Sequence, residues 1–148
     1  INSYKWDYNI NHVGYKYHGN SIMAALGIVG LRYLDKDNQY RRDLASRYIY
    51  NLNGKVDFIK HDSNQTSRHL FQVVVNSREK LIDYLSVNKI FPGVHYRQST
   101  DYEVFNTKSQ LPKSEYFSKH ILTLPLHLEL NFKDIDKISK TLLQAIEP

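Results

Sequence analysis

The sequence predicts an α+β domain of two layers, a short mixed or antiparallel sheet packed with helices and led by one long helix. Three observations carry that prediction. A stretch from about residue 20 to 52 repeats its apolar residues every three or four positions, the spacing of one helical face. Two short β-rich runs, residues 70–75 and 121–124, lie far apart in the chain. Helical patterns separate them and follow them, so helices and strands are mixed rather than strictly alternating. The 148 residues make one domain's length, and 41% hydrophobic against 24% charged residues is a globular balance. A folded chain of this length buries roughly 68–70% of the surface its unfolded form exposes, enough for a core without staples.

Residues 1–17 are rich in Asn and Tyr and show no sustained period, so they read as an extended or looping arm. Asn20 and Ser21 then offer an N-cap. The helix that follows aligns Ile22, Leu26, Val29, Tyr33, Tyr40, Leu44, Tyr48 and Leu52 on one face, with a bend expected near residues 35–38. Gly27 and Gly30 lie a turn apart and cost helix propensity, which makes sense where another backbone packs closely, in the core or in a partner subunit. Asn51, Asn53 and Gly54 end the helix with turn residues.

Residues 70–75 form a strand, and Ser77 caps a short helix through Asn88 with Leu81, Ile82 and Leu85 inward. Phe91, Pro92 and Gly93 turn into the short segment Val94, His95 and Tyr96, and the polar stretch 98–114 is a loop. A helix from about Ser114 leads to the second strand, 121–124. The last helix follows Asn131, with Ile135, Ile138, Leu142 and Ile146 inward. No internal repeat is visible.

The chemistry narrows by exclusion. Without cysteine there is no disulfide framework, zinc knuckle or thiol nucleophile, and no sign of an oxidising compartment. Seven histidines fall at positions 12, 18, 61, 69, 95, 120 and 127, none at the i, i+4 spacing of a helical zinc site, so no metal is expected. There is no Gly-x-Ser-x-Gly elbow and no Gly-rich phosphate loop. The longest apolar stretch, residues 22–31, is about half of a bilayer span, so the expectation is no membrane and a cytoplasmic location. A net charge of +5 with twelve interleaved tyrosines suits a surface meeting phosphates, yet the charges are scattered, which favours a solvated surface and no nucleic-acid partner. The first residue, Ile1, suggests a fragment.

Two segments gather donors. Lys16, Tyr17 and His18 stand on a short loop between Gly14 and Gly19, as suited to an anion or sugar contact as to a plain turn. His95, Tyr96 and Arg97 follow a stiff turn and precede the polar loop; they too have a plain reading, as strand residues facing water.

Taken together these segments resemble one family. Gly14-Tyr15-Lys16-Tyr17-His18, followed by Ile22-Met23-Ala24-Ala25-Leu26-Gly27 and then Leu31, Leu34, Arg41, Arg42 and Tyr48, is similar to a block of the DegT/StrS nucleotide-sugar aminotransferases. Arg68-His69-Leu70-Phe71, Gly93-Val94-His95-Tyr96 and Leu124-Pro125-Leu126-His127 match later blocks in order, so the resemblance spans nearly the whole chain.

It implies that residues 1–148 are the C-terminal small domain of a fold-type I aminotransferase, with a linking helix at about 20–52 and the large domain that binds pyridoxal 5′-phosphate absent. None of the thirteen lysines sits in the family's Schiff-base motif, so catalytic residues are expected elsewhere and this chain alone should be inactive. By resemblance Lys16 contacts the cofactor phosphate across a homodimer interface with shared active sites. Tyr17, His18, His95, Tyr96 and Arg97 would bind the nucleotide-linked keto sugar, His18 standing where many relatives carry arginine. The 98–114 loop would cover this site, and glutamate is the implied amino donor. The alternatives are a nucleotide-sugar dehydratase of the same family, which replaces the lysine by histidine, and a stand-alone nucleotide- or glycan-binding module.

Overall fold

Asn20 caps the first helix, α1 (Ser21–Leu31), its side-chain oxygen accepting from the Met23 N–H at 2.9 Å. This computed structural model describes residues 9, 12–15, 19–62, 65–105 and 110–146. The helical stretch breaks at Arg32 and Tyr33, whose N–H groups bond to Val29 and Gly30 in a tightened turn, and α2 (Leu34–Leu52) begins. The break therefore precedes the predicted bend at 35–38. Asp35 and Asp37 explain the difference: acidic residues are favoured in a helix's first turn, so they start α2 rather than interrupt it.

The expected single apolar face is also divided. Leu44, Tyr48 and Leu52 are buried, whereas Ile22, Leu26, Val29 and Tyr33 are exposed, and α1 buries none of its residues. Among the described residues a Cβ placed on Gly27 or Gly30 meets nothing within 4 Å, so none of them packs closely there.

β1 (Asp57–Phe58), β2 (Phe71–Val74) and β3 (Ile121–Leu124) form an antiparallel sheet in that order, with β1 too short to be seen in the sequence pattern. Gly93 adds a bridge to Thr123 on the far side of β3. Helix α3 (Arg78–Val87) follows β2; Ser77 stands at its N-cap in a left-handed conformation (φ 56°) and its hydroxyl makes no cap bond, contrary to expectation. Two 3₁₀ turns, Ser99–Asp101 and Glu103–Phe105, order part of the predicted loop. Helix α4 (Pro112–His120) starts two residues earlier than expected because Pro112 suits a helix's first turn. It runs into β3 without a loop. Helix α5 (Phe132–Ile146) opens on a reciprocal cap, Asn131 accepting from Lys133 and Asp134 while its own N–H donates to Asp134.

Helices and sheet make the two layers predicted. Leu44, Tyr48 and Leu52 of α2, Leu81, Ile82 and Leu85 of α3, and Ile135, Ile138 and Leu142 of α5 close over Phe71, Val73, Leu122 and Leu124 of the sheet. Ile146 is the exception among the inward positions, 39% exposed at the end of α5. The Tyr48 ring stacks on Phe71 at 4.7 Å, and its hydroxyl donates to the Pro125 carbonyl at 2.9 Å. Burial pushes that phenol far above its ordinary range, so it stays a neutral donor. On the outer side Asp136 of α5 accepts from Arg47 at 2.7 and 2.8 Å and from Asn51 at 2.8 Å, both on α2; these bonds hold its carboxyl down at about 2.

Candidate functional site

On β2 and β3 the apolar side chains of Phe71, Val73, Leu122 and Leu124 belong to the core, and the cross-strand pair Gln72 and Thr123 interrupts them. In a strand successive side chains take opposite faces, so this polar pair stands on the face away from the core. The segment after Phe91 is laid across it. Gly93 exchanges two backbone hydrogen bonds with Thr123, at 2.9 and 2.8 Å, and buried Val94 anchors the next position. His95 is thereby set over the sheet, its Nδ1 3.1 Å from Thr123 Oγ1 and its backbone carbonyl accepting from Gln72 Nε2.

Gly93 is required here by close approach rather than by an unusual dihedral. A Cβ on it would stand 2.6 Å from His95 Cε1, so only glycine lets the imidazole lie against the chain. Burial, with a smaller push from His69, lowers the His95 pKa below its ordinary value and leaves the ring neutral at pH 7.

Tyr96 stands 65% exposed, its ring perpendicular to the imidazole at 4.9 Å. Arg97 folds back instead of reaching outward. Its Nη2 donates to the Asp101 carbonyl at 3.0 Å, its Nε lies 3.9 Å from the Asp101 carboxylate, and its guanidinium covers the Tyr102 ring at 5.1 Å. The first 3₁₀ turn thus shares the charge of Arg97 with Asp101. The Gln98 N–H bonds to Ser118 Oγ at 3.1 Å, tying this segment to α4.

The structure therefore brings His95 and Tyr96 together and places Arg97 beside them on the adjoining turn. Lys16, Tyr17 and His18 lie outside the described residues, as do positions 106–109 of the predicted covering loop. Tyr15 is 83% exposed, and a Cβ on Gly14 or Gly19 meets no described residue within 4 Å. Two partners of the site were not singled out by motif reading, Gln72 and Thr123. Their signal is a lone polar residue inside each apolar strand run, Phe71-Gln72-Val73 and Leu122-Thr123-Leu124. Among the described residues no group of three or more His, Asp or Glu side chains could hold a metal ion. No described helix is long and apolar enough to cross a membrane.

The model of the DegT/DnrJ/EryC1/StrS aminotransferase family matches residues 2–143. A UDP-4-amino-4,6-dideoxy-N-acetyl-β-L-altrosamine transaminase of Campylobacter jejuni is 28% identical over 96% of this chain. Among solved structures, a protein described as a sugar aminotransferase from Streptococcus pneumoniae matches 95% of the chain with 28% identity and a TM-score of 0.79. A family member from Brucella abortus, 21% identical over 97% of the chain, shares the fold with a TM-score of 0.80. The chain spans only 41% of the Campylobacter protein's length, 38% of the Streptococcus chain and 40% of the Brucella chain. With its helices, sheet and ordered sequence blocks aligned along nearly its whole length, this chain belongs to the DegT/DnrJ/EryC1/StrS aminotransferase family.

Proposed function

We propose that residues 1–148 are the C-terminal small domain of a pyridoxal-phosphate-dependent aminotransferase that moves an amino group from glutamate to the keto group of a nucleotide-linked deoxysugar, in the cytoplasm. The observation that carries the reading is the His95 imidazole, set 3.1 Å from Thr123 Oγ1 beside exposed Tyr96 on a family fold. Pyridoxal phosphate, when bound, supplies the electron sink through which the amino group passes. The described residues do not by themselves fit it: every described lysine is exposed, and none offers the desolvated amine that covalent attachment requires.

This chain's part is then binding. His95 and Tyr96 offer ring and hydroxyl donors to the nucleotide-sugar, and Arg97, partly neutralised by Asp101, adds a cation at the rim. Lys16 would contact the cofactor phosphate, and Tyr17 and His18 the sugar nucleotide, from an arm crossing to a second subunit. The uncovered apolar surface of α1 supports a homodimer of shared sites, since contiguous exposed apolar residues mark interaction surfaces.

The test is a turnover assay of the full-length protein with glutamate and a UDP-linked 4-keto-6-deoxyhexose. Release of 2-oxoglutarate in step with aminated sugar is expected, and the 148-residue chain alone should release none. A product that has lost water without consuming glutamate would replace this reading by the dehydratase.

A further inference from the structure

The Thr123 hydroxyl and the His95 imidazole share one hydrogen bond, and its direction decides what His95 can do. Thr123 is 5% exposed, and no described residue other than His95 meets its Oγ1. A threonine hydroxyl carries one proton and two lone pairs, whereas a neutral imidazole has one donor nitrogen and one acceptor nitrogen. Were Nδ1 protonated, it would donate to Oγ1 and leave the buried hydroxyl proton without an acceptor. An unsatisfied buried donor is expensive. With the proton on Nε2 instead, the hydroxyl donates to the Nδ1 lone pair and both groups are satisfied.

We propose that Thr123 is a positioning residue that fixes His95 as the Nε2–H tautomer, so that His95 presents a neutral hydrogen-bond donor to an oxygen of the nucleotide diphosphate rather than a base. The choice of ligand rests on the function proposed above; the tautomer does not. The surrounding backbone holds His95 beside Thr123. Gln72 Nε2 holds the His95 carbonyl, the two backbone bonds between Gly93 and Thr123 set the spacing, and Gly93 leaves room for the ring lying on it. No described residue meets Nε2. In this form Nε2 already carries its proton, so His95 takes none from a substrate. Its Nε2–H is then free to donate to a phosphate oxygen.

Ring-nitrogen NMR of the full-length protein, labelled in its histidine side chains, tests both halves. Without ligand, His95 should show a protonated, pyrrole-like Nε2 and an unprotonated, pyridine-like Nδ1. Thr123→Val should return the ring to a tautomer mixture, and Thr123→Ser, which keeps the hydroxyl, should restore the wild-type pattern. A wild-type ring protonated at Nδ1 overturns the proposal, as does a wild-type pattern surviving in a folded Thr123→Val. Added UDP should shift the Nε2 signal. If it does not while the tautomer is as stated, the diphosphate ligand is overturned and the function reading with it, whereas a wrong tautomer with UDP still shifting the ring overturns only the role of Thr123.

Discussion

A histidine held neutral by its surroundings carries a signature in acid. In the folded chain the His95 pKa lies below its ordinary value, through burial first and the neighbouring His69 second. The unfolded chain, with a histidine pKa of about 6.5, binds the proton more readily. Stability therefore falls as pH drops below about 6.5, until the folded ring protonates too, and below that point the loss stays constant. Replacing His95 by Gln removes this component. Denaturant unfolding at a series of pH values should show the wild-type stability minus that of His95→Gln shrinking on acidification from pH 7 to 5. A constant difference would mean that the ring is not held neutral. Asp136 loses stability in the same direction but at lower pH. Its carboxylate is favoured in the fold by Arg47 and Asn51, so its contribution persists above the ordinary carboxylate range and is lost only between about pH 4 and about 2.

Helices α1 and α2 show how far a sequence pattern reaches. Their shared three-and-four spacing is real, but periodicity records which residues align, not what covers them. From Tyr40 to Leu52 the cover is this chain's own sheet and α5; from Ile22 to Leu31 the described residues bury none of the helix. The strands 71–74 and 121–124 and the helix after Asn131 were legible because their apolar runs serve a core within the chain. Strand β1 was not, since two residues, Asp57 and Phe58, carry no period. Among the site residues, His95, Tyr96 and Arg97 were found through their segment, whereas Gln72 and Thr123 were hidden in plain β-runs. The pairing of Arg97 with Asp101, four residues on, was not legible, because the turn that brings them together carries no motif. The two kinds of apolar position should separate by experiment. Leu142→Ala, at a fully buried site, should cost about 2–5 kcal/mol in thermal or denaturant unfolding. Leu26→Asp, on the open face of α1, should leave the stability of this chain within about 0.5 kcal/mol yet convert the full-length protein from dimer to monomer in sedimentation.

At the scale of the whole molecule, one hydrophobic core gathers residues from α2, α3, α5 and the sheet, and α1 gives it none. Such a core can unfold as a unit, while a helix of eleven residues without packed neighbours is marginal in water. The chain should therefore divide by stability rather than by sequence. In hydrogen exchange of the isolated 148 residues, amides of β2, β3 and the buried turns of α2 and α5 should open only by global unfolding. Those of α1 should exchange at nearly unprotected rates despite the cap at Asn20, worth only about 1 kcal/mol. In the full-length protein the α1 amides should become protected, since the proposed homodimer covers the apolar face formed by Ile22, Leu26 and Val29. Fast exchange of α1 in both forms would remove the interface assigned to it. Slow exchange in the isolated chain would show that α1 is held by contacts of this domain itself, and its exposed leucines and isoleucines would then need another explanation.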